Sequence, residues 1–243
     1  MVIQYCAFPV GMVSGLAAYN QLIKPSGGKP MSTGYKLVIG NKAWSSWSLR
    51  PWLLMRHFKI PFDEVNIALR SPQTAADIAA HTPSGKIPAL IVGDHTVWDS
   101  LAIIEYLADA HPSRLIWPQD RAARGRARSV SAEMHSGFQA LRQNCPMDFN
   151  ARGLTPADPA AITADVARIQ AIWLDCLTRS GGPFLMGAFT AADAMYAPVV
   201  SRFVSYGLER GPGCAGYIEA MMAHPAMAEW SQQARAQAAP EQG

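Results

Sequence analysis

The segment Trp44-Ser45-Ser46-Trp47-Ser48-Leu49-Arg50 places three serine hydroxyls within four residues. A hydroxyl at the start of a helix can donate to an anion, and the positive end of the helix adds to that attraction. A natural target is a ligand thiol, which is a poor nucleophile until it loses its proton. Moving a thiol pKa from roughly 9 to roughly 6.5 requires about 3 kcal/mol of selective thiolate stabilisation. Downstream, Ile87-Pro88 is the kind of step at which a cis peptide is accessible, and such a bend can turn a backbone edge outward to pair with an extended ligand. Asp99-Ser100 precedes another helical pattern. There a hydroxyl and free N–H groups suit a carboxylate, and the aspartate suits an ammonium. Together these residues offer hydroxyl, main-chain and carboxylate contacts to a small polar ligand.

The elements that must position them follow from periodicity. Tyr35-Lys36-Leu37-Val38-Ile39 reads as a strand, ended by Gly40-Asn41. Ser48 is expected to N-cap the next helix, which would put Pro51 at its third position, where a missing N–H costs nothing. Alternation of Val65, Ile67 and Leu69 predicts a strand over 62–69, and a short helix is expected at 73–80. Pro88 to Val92 reads as a strand, Gly93-Asp94-His95 as a hairpin turn and Thr96-Val97-Trp98 as the return strand. Ser100 is expected to cap a helix over 101–110. The order βαβαββα has a parallel first pair and an antiparallel last pair, which is the thioredoxin-like order.

Beyond Pro112 only helical patterns remain, expected at 121–145, 158–179, 190–207 and 214–236. The chain therefore reads as a thioredoxin-like α/β domain over 35–112, a linker over 113–120 and an all-α domain over 121–237, with a flexible tail at 238–243. Thr190-x-x-Asp193 has the form of a capping box and is assigned to folding.

Composition removes several function classes. Among 243 residues, 49% are apolar and the formal net charge is only +3, so a buried core is expected and no nucleic-acid partner is implied. The arginines between Arg114 and Arg128 read as a solvated helix face. Cys6, Cys145, Cys176 and Cys214 form no C-x-x-C and fit reduced thiols in the cytoplasm. The histidines form no HExxH and no cluster with cysteine, so no metal is expected. Residues 1–34 are read as a flexible extension. Met1 to Ile23 is uncharged but interrupted by Gln4, Pro9 and Asn20, too polar for a membrane span, and it lacks the basic start of a signal peptide. Met31 is the expected natural start.

Over residues 35–236 the chain resembles the cytosolic glutathione S-transferase superfamily. The resemblance rests on Ser45-Ser46-Trp47-Ser48-Leu49-Arg50, on Pro83 to Leu90, on Asp99 to Leu107 and on Thr190 to Asp193, in that order. It implies a thioredoxin-like N-terminal domain, an all-α C-terminal domain and a homodimer. The serine segment is similar to that of the serine-type classes, zeta above all. Carried over residue by residue, the resemblance puts the thiol-activating hydroxyl on Ser45, with Ser46 as the alternate. It puts the cysteinyl part of glutathione on the Ile87 main chain beside Pro88 and the glycyl carboxylate on Lys86. The γ-glutamyl group falls to Ser100 and Asp99. Most relatives have Glu or Gln at position 99.

The electrophile pocket is the least legible part. By resemblance it lies between the domains, with Trp47, His135, Phe138, Met147 and Phe149 as candidate walls. His135 reads either as a general acid or as a helix-face histidine satisfied locally. The expected activity is addition of glutathione to a small electrophile. The alternatives are a zeta-like isomerase resembling maleylacetoacetate isomerase, and a glutathione-binding module without catalysis. A thiol transferase of the glutaredoxin kind is disfavoured, because serines stand where its cysteine would be.

Overall fold

The computed structural model describes residues 34–238. The expected extension before Gly34, with Met31 and Cys6, and the tail beyond Ala238 lie outside the described residues. The elements run β1 (Tyr35–Gly40), α1 (Ser46–His57), β2 (Asp63–Ile67), α2 (Thr74–Ala79), β3 (Ala89–Val92), β4 (His95–Trp98) and α3 (Ser100–Ala110), then a 3-10 turn (Pro112–Arg114). Six helices follow: α4 (Arg121–Ser136), α5 (Gln139–Asn144), α6 (Thr163–Ser180), α7 (Ala191–Ser205), α8 (Ala215–Met222) and α9 (Pro225–Ala238). Among the described residues, no helix is long and apolar enough to cross a membrane.

The sheet order is β2-β1-β3-β4, with β1 parallel to β2 and antiparallel to β3, and β3 antiparallel to β4. This is the expected thioredoxin-like arrangement. Because side chains alternate across a strand, β1 serves two cores. Leu37 and Ile39 enter the main core with α1, α3 and the helical half. Val38 points the other way, to a smaller cluster with Ile67, Ile78 and Ala89.

The helical half is built around α7, which is buried along almost its whole length. Its start is the capping box read from the sequence. Asp193 accepts hydrogen bonds from the N–H groups of Thr190 (2.8 Å) and Leu185 (2.9 Å), and Thr190 Oγ1 accepts from the Ala192 N–H (3.3 Å). Burial raises the Asp193 carboxyl to about 6 against the pull of these donors.

Two expected helices are interrupted. The helix expected at 121–145 breaks after Ser136. A side chain at Gly137 would put its Cβ 2.8 Å from the Glu133 carbonyl oxygen, and Phe138 follows at φ +58°. The helix expected at 214–236 breaks before Pro225, which opens α9; proline at a first helical position needs no N–H. The helix expected from 158 starts only at Thr163.

The loop between β1 and α1 is held by distant parts of the chain. Trp230 Nε1 donates to the Lys42 carbonyl (2.8 Å), and the Lys42 N–H donates to Gln237 Oε1 (2.8 Å). The Phe149 N–H donates to the Ala43 carbonyl (3.0 Å). The Lys42 side chain is buried, paired with Glu64 and set between the rings of Trp52 and Trp230.

Candidate active site

α1 begins earlier than the sequence suggests. Ser46 is already helical and Ser45 is the N-cap residue, with the Ser45 carbonyl accepting the Leu49 N–H (3.2 Å). Ser48 is therefore not the cap. Its buried hydroxyl turns back to accept from the Gly40 N–H (3.3 Å) and from Ser45 Oγ (2.7 Å). Two closely spaced serines are equally good caps by type, and the contact with Gly40 decides between them. Pro51 consequently sits well inside the helix, so the Trp47 carbonyl lacks the N–H it would otherwise meet.

The second grip also differs from expectation. Asp99, not Ser100, caps α3: Oδ1 accepts the N–H groups of Leu101 (2.8 Å) and Ala102 (3.4 Å). Those donors are therefore already used, leaving the Ser100 hydroxyl and N–H for a ligand. Asp99 stands at φ +74°, ψ 137°, a conformation close to glycine-only. Its Oδ2 accepts from His135 Nε2 at 2.7 Å. Burial opposes ionisation of Asp99, but the bonds from His135 and Leu101 outweigh it and hold the carboxyl below its ordinary value. His135 also sets its ring edge-to-face on Trp47, 5.3 Å between centroids.

The Ile87–Pro88 peptide is cis, as the residues suggested. It lies beside the end of β1, where a Cβ on Gly40 would come within 3.0 Å of Ile87 Cδ1; glycine lets the two segments meet.

These elements enclose a cavity of about 660 Å³. Trp47, Lys86, Ile87, Pro88, Asp99, Ser100 and His135 line it, together with Ser84, Trp98, Ser136 and Gln139, which the sequence did not single out. Ser45 and Ser46 are not in the lining. Ser45 is buried with its hydroxyl given to Ser48. Ser46 is half-exposed, with no side-chain partner among the described residues. Met147, Phe138 and Phe149 are not pocket walls either; they are buried in the main core.

Beneath Trp47 lies Arg50, three residues on and on the same helix face. Its guanidinium carbon is 3.9 Å from the Trp47 ring centroid, and Arg142 approaches that ring at 5.0 Å. The described cysteines do not compete for thiol chemistry. Burial raises Cys145 and Cys176 to about 11 and raises Cys214 as well.

The comparisons with known proteins agree with this architecture. Residues 44–110 match the glutathione S-transferase N-terminal domain, and residues 156–233 match the C-terminal domain of the same family. The chain belongs to the glutathione S-transferase superfamily. It is 31% identical over 96 residues to a probable maleylacetoacetate isomerase of Caenorhabditis elegans, a match covering 40% of this chain and 44% of that protein. It is 25% identical over 188 residues to the maleylacetoacetate isomerase of Rattus norvegicus, covering 76% and 83%. A glutathione transferase homologue from Burkholderia, solved with bound glutathione, shares the fold with a TM-score of 0.62 at 21% identity, covering 84% of this chain and 98% of that one.

Proposed function

We propose that this chain is a glutathione transferase that binds glutathione in the cavity between the segment leading into β3, the start of α3 and the end of α4 and adds its thiolate to a small electrophile. The observation that carries the reading is the convergence of Lys86-Ile87-Pro88 and Asp99-Ser100 on one cavity lined by Trp47 and His135. In this reading Lys86 meets the glycyl carboxylate and the Ile87 main chain pairs with the cysteinyl residue. Ser100 takes the γ-glutamyl carboxylate and Asp99 the ammonium.

Ser45 activates the sulfur, with Ser46 as the alternate donor. For Ser45 this requires that its bond to Ser48 reverse and that its hydroxyl, now buried outside the cavity lining, meet the sulfur. Ser48, held by the Gly40 N–H, donates to Ser45 Oγ, and Ser45 then donates to the thiolate. The N–H groups of the first turn of α1 add positive potential. The thiolate forms the new S–C bond and the thiol proton passes to solvent. The product is a thioether: on an activated alkene the C=C π bond breaks and the neighbouring carbon takes a proton from solvent, and on a substrate with a leaving group that group departs with its bonding electrons.

An isomerase is the second reading, favoured by the names of the worm and rat relatives. There the thiolate adds to a double bond and leaves again after rotation, so glutathione is not consumed. Incubation with maleylacetoacetate while following glutathione separates the two: fumarylacetoacetate at constant glutathione supports the isomerase, and a stable conjugate supports the transferase. An ultraviolet thiolate band near neutral pH tests catalysis itself. Glutathione binding without that band would leave only a binding module. A cytoplasmic location and a homodimeric state are proposed from family membership.

A further inference from the structure

Arg50 is 2% exposed, yet its Nε has no hydrogen-bond partner among the described residues. Its one side-chain hydrogen bond runs from Nη1 to Ser100 Oγ at 3.5 Å, the long end of the range. No described carboxylate lies within ion-pair distance of it. A buried guanidinium without an anion is expensive, and the neighbours make it more so. Arg142 and Arg202 stand close, and both give their hydrogen bonds to main-chain carbonyls: Arg142 to Met134 and His135, Arg202 to Cys145 and Pro198. Burial first, then those two cations, push the Arg50 pKa well below the ordinary arginine value, with Asp99 pulling the other way. Stacking on Trp47 offsets part of this cost.

The direction of the Ser100 contact is informative. A guanidinium has only donors, so Ser100 Oγ must accept from Arg50. The Ser100 proton is then free to point away from Arg50, and Ser100 itself lines the cavity. Its own backbone N–H is also free of the cap, because Asp99 covers only Leu101 and Ala102. One buried positive charge thus stands behind one hydroxyl at the start of α3.

We propose that Arg50 is a positioning residue for the γ-glutamyl carboxylate of glutathione, acting through Ser100 by orienting its hydroxyl and supplying a positive charge behind the start of α3, apart from the Lys86 charge assigned to the glycyl end. This rests on the glutathione reading of the site. The ligand carboxylate would complete an arrangement that is electrostatically unfinished without it.

The experiment measures affinity for glutathione and for cysteinylglycine, which lacks the γ-glutamyl group, in the wild type, Arg50→Met, Ser100→Ala and the double variant. The expected result is a loss of tenfold or more in glutathione affinity for Arg50→Met, with cysteinylglycine affinity within about twofold of wild type. The double variant is expected to lose little beyond Ser100→Ala, because the two act as one unit. Equal losses for both ligands, or full additivity with Ser100→Ala, would overturn the role of Arg50. If Arg50→Met does not fold, Arg50→Lys provides the same comparison: it keeps the charge but loses the reach and the planar stack, and a loss confined to glutathione is again expected. A wild type that does not prefer glutathione to cysteinylglycine would overturn the glutathione reading and this role together. A wild-type preference that survives in the Arg50 variants would remove only this role.

Discussion

His57 Nδ1 stands 2.8 Å from His224 Nε2, and the direction of that bond is fixed. His224 Nδ1 accepts the Ala226 N–H at 3.2 Å, so its proton is on Nε2 and is donated to His57. Both rings are therefore neutral as they stand, and His57 stacks on Phe189 with 4.2 Å between centroids. The pair joins the end of α1 to the α8–α9 corner.

Burial and then the nearby His224 push His57 from 6.5 down to about 4. A depressed histidine pKa means the unfolded chain binds more protons below 6.5. The stabilisation is therefore complete above pH 6.5 and is lost as pH falls toward 4. Thermal unfolding at stepped pH is expected to show a falling Tm across this window. His57→Asn is expected to flatten that part of the curve; an unchanged slope would show that the pair does not titrate with folding.

The Lys42–Glu64 pair governs a lower window. Burial opposes ionisation of Glu64, but the Lys42 and Trp52 hydrogen bonds prevail and hold its pKa below the ordinary glutamate value. Its stabilisation is present above about pH 4.5 and is lost below. Lys42→Ala leaves the Glu64 charge half-buried beside the Trp52 indole and is expected to cost about 3 kcal/mol, read by urea unfolding at pH 7. Glu64→Gln is expected to remove stability at pH 7 but to reduce the loss on acidification.

At Asp99 two roles can be separated. Asp99→Ala loses the helix cap, about 1 kcal/mol, and keeps the unfavourable backbone angles. Asp99→Gly loses the same cap but relieves the strain, so its Tm is expected to stay near that of the wild type. Both are expected to weaken glutathione binding alike, since each removes the carboxylate. A glycine variant that binds normally would assign Asp99 to folding alone.

The serines give the most direct catalytic test. Ser45→Ala is expected to lower kcat/KM about 10- to 100-fold, the worth of one hydrogen bond to an anion, and to remove the thiolate band. Ser48→Ala leaves the buried Gly40 N–H unpaired, so it is expected to lower stability by about 1–3 kcal/mol as well as activity. Ser46→Ala is expected to leave the band in place. If instead the band disappears only in Ser46→Ala, the exposed serine is the activator.

The order of elements, the cis Ile87–Pro88 step and the Thr190–Asp193 box were legible because each is local: a period, a proline, a spacing of three. What the sequence hid was mostly long-range. His135 meets Asp99 from 36 residues away, and no spacing rule links them. Met147 and Phe149 suit a pocket or a core equally well by type, and it is the packed structure that places them in the main core, with the Phe149 main chain bonded to Ala43. Gly137 and Pro225 were visible helix breakers whose effect was masked by strong helical periodicity on either side. Arg50 would ordinarily be read as a surface cation; its place at the end of the serine motif, one helical turn after Trp47, gave it no role until its burial was seen.

The clasp on the β1–α1 loop has a consequence for how the protein is made. A ribosome releases the serine segment well before Trp230 and Gln237, which hold the Lys42 main chain from 188 and 195 residues further along. The nascent chain thus carries the complete serine motif long before that motif has its final shape. A chain clipped before α9 would keep every residue assigned to the cavity, yet the loop that leads to Ser45 would keep only the Phe149 tie and lose those from Trp230 and Gln237, and possession of the motif would no longer mean possession of the finished site.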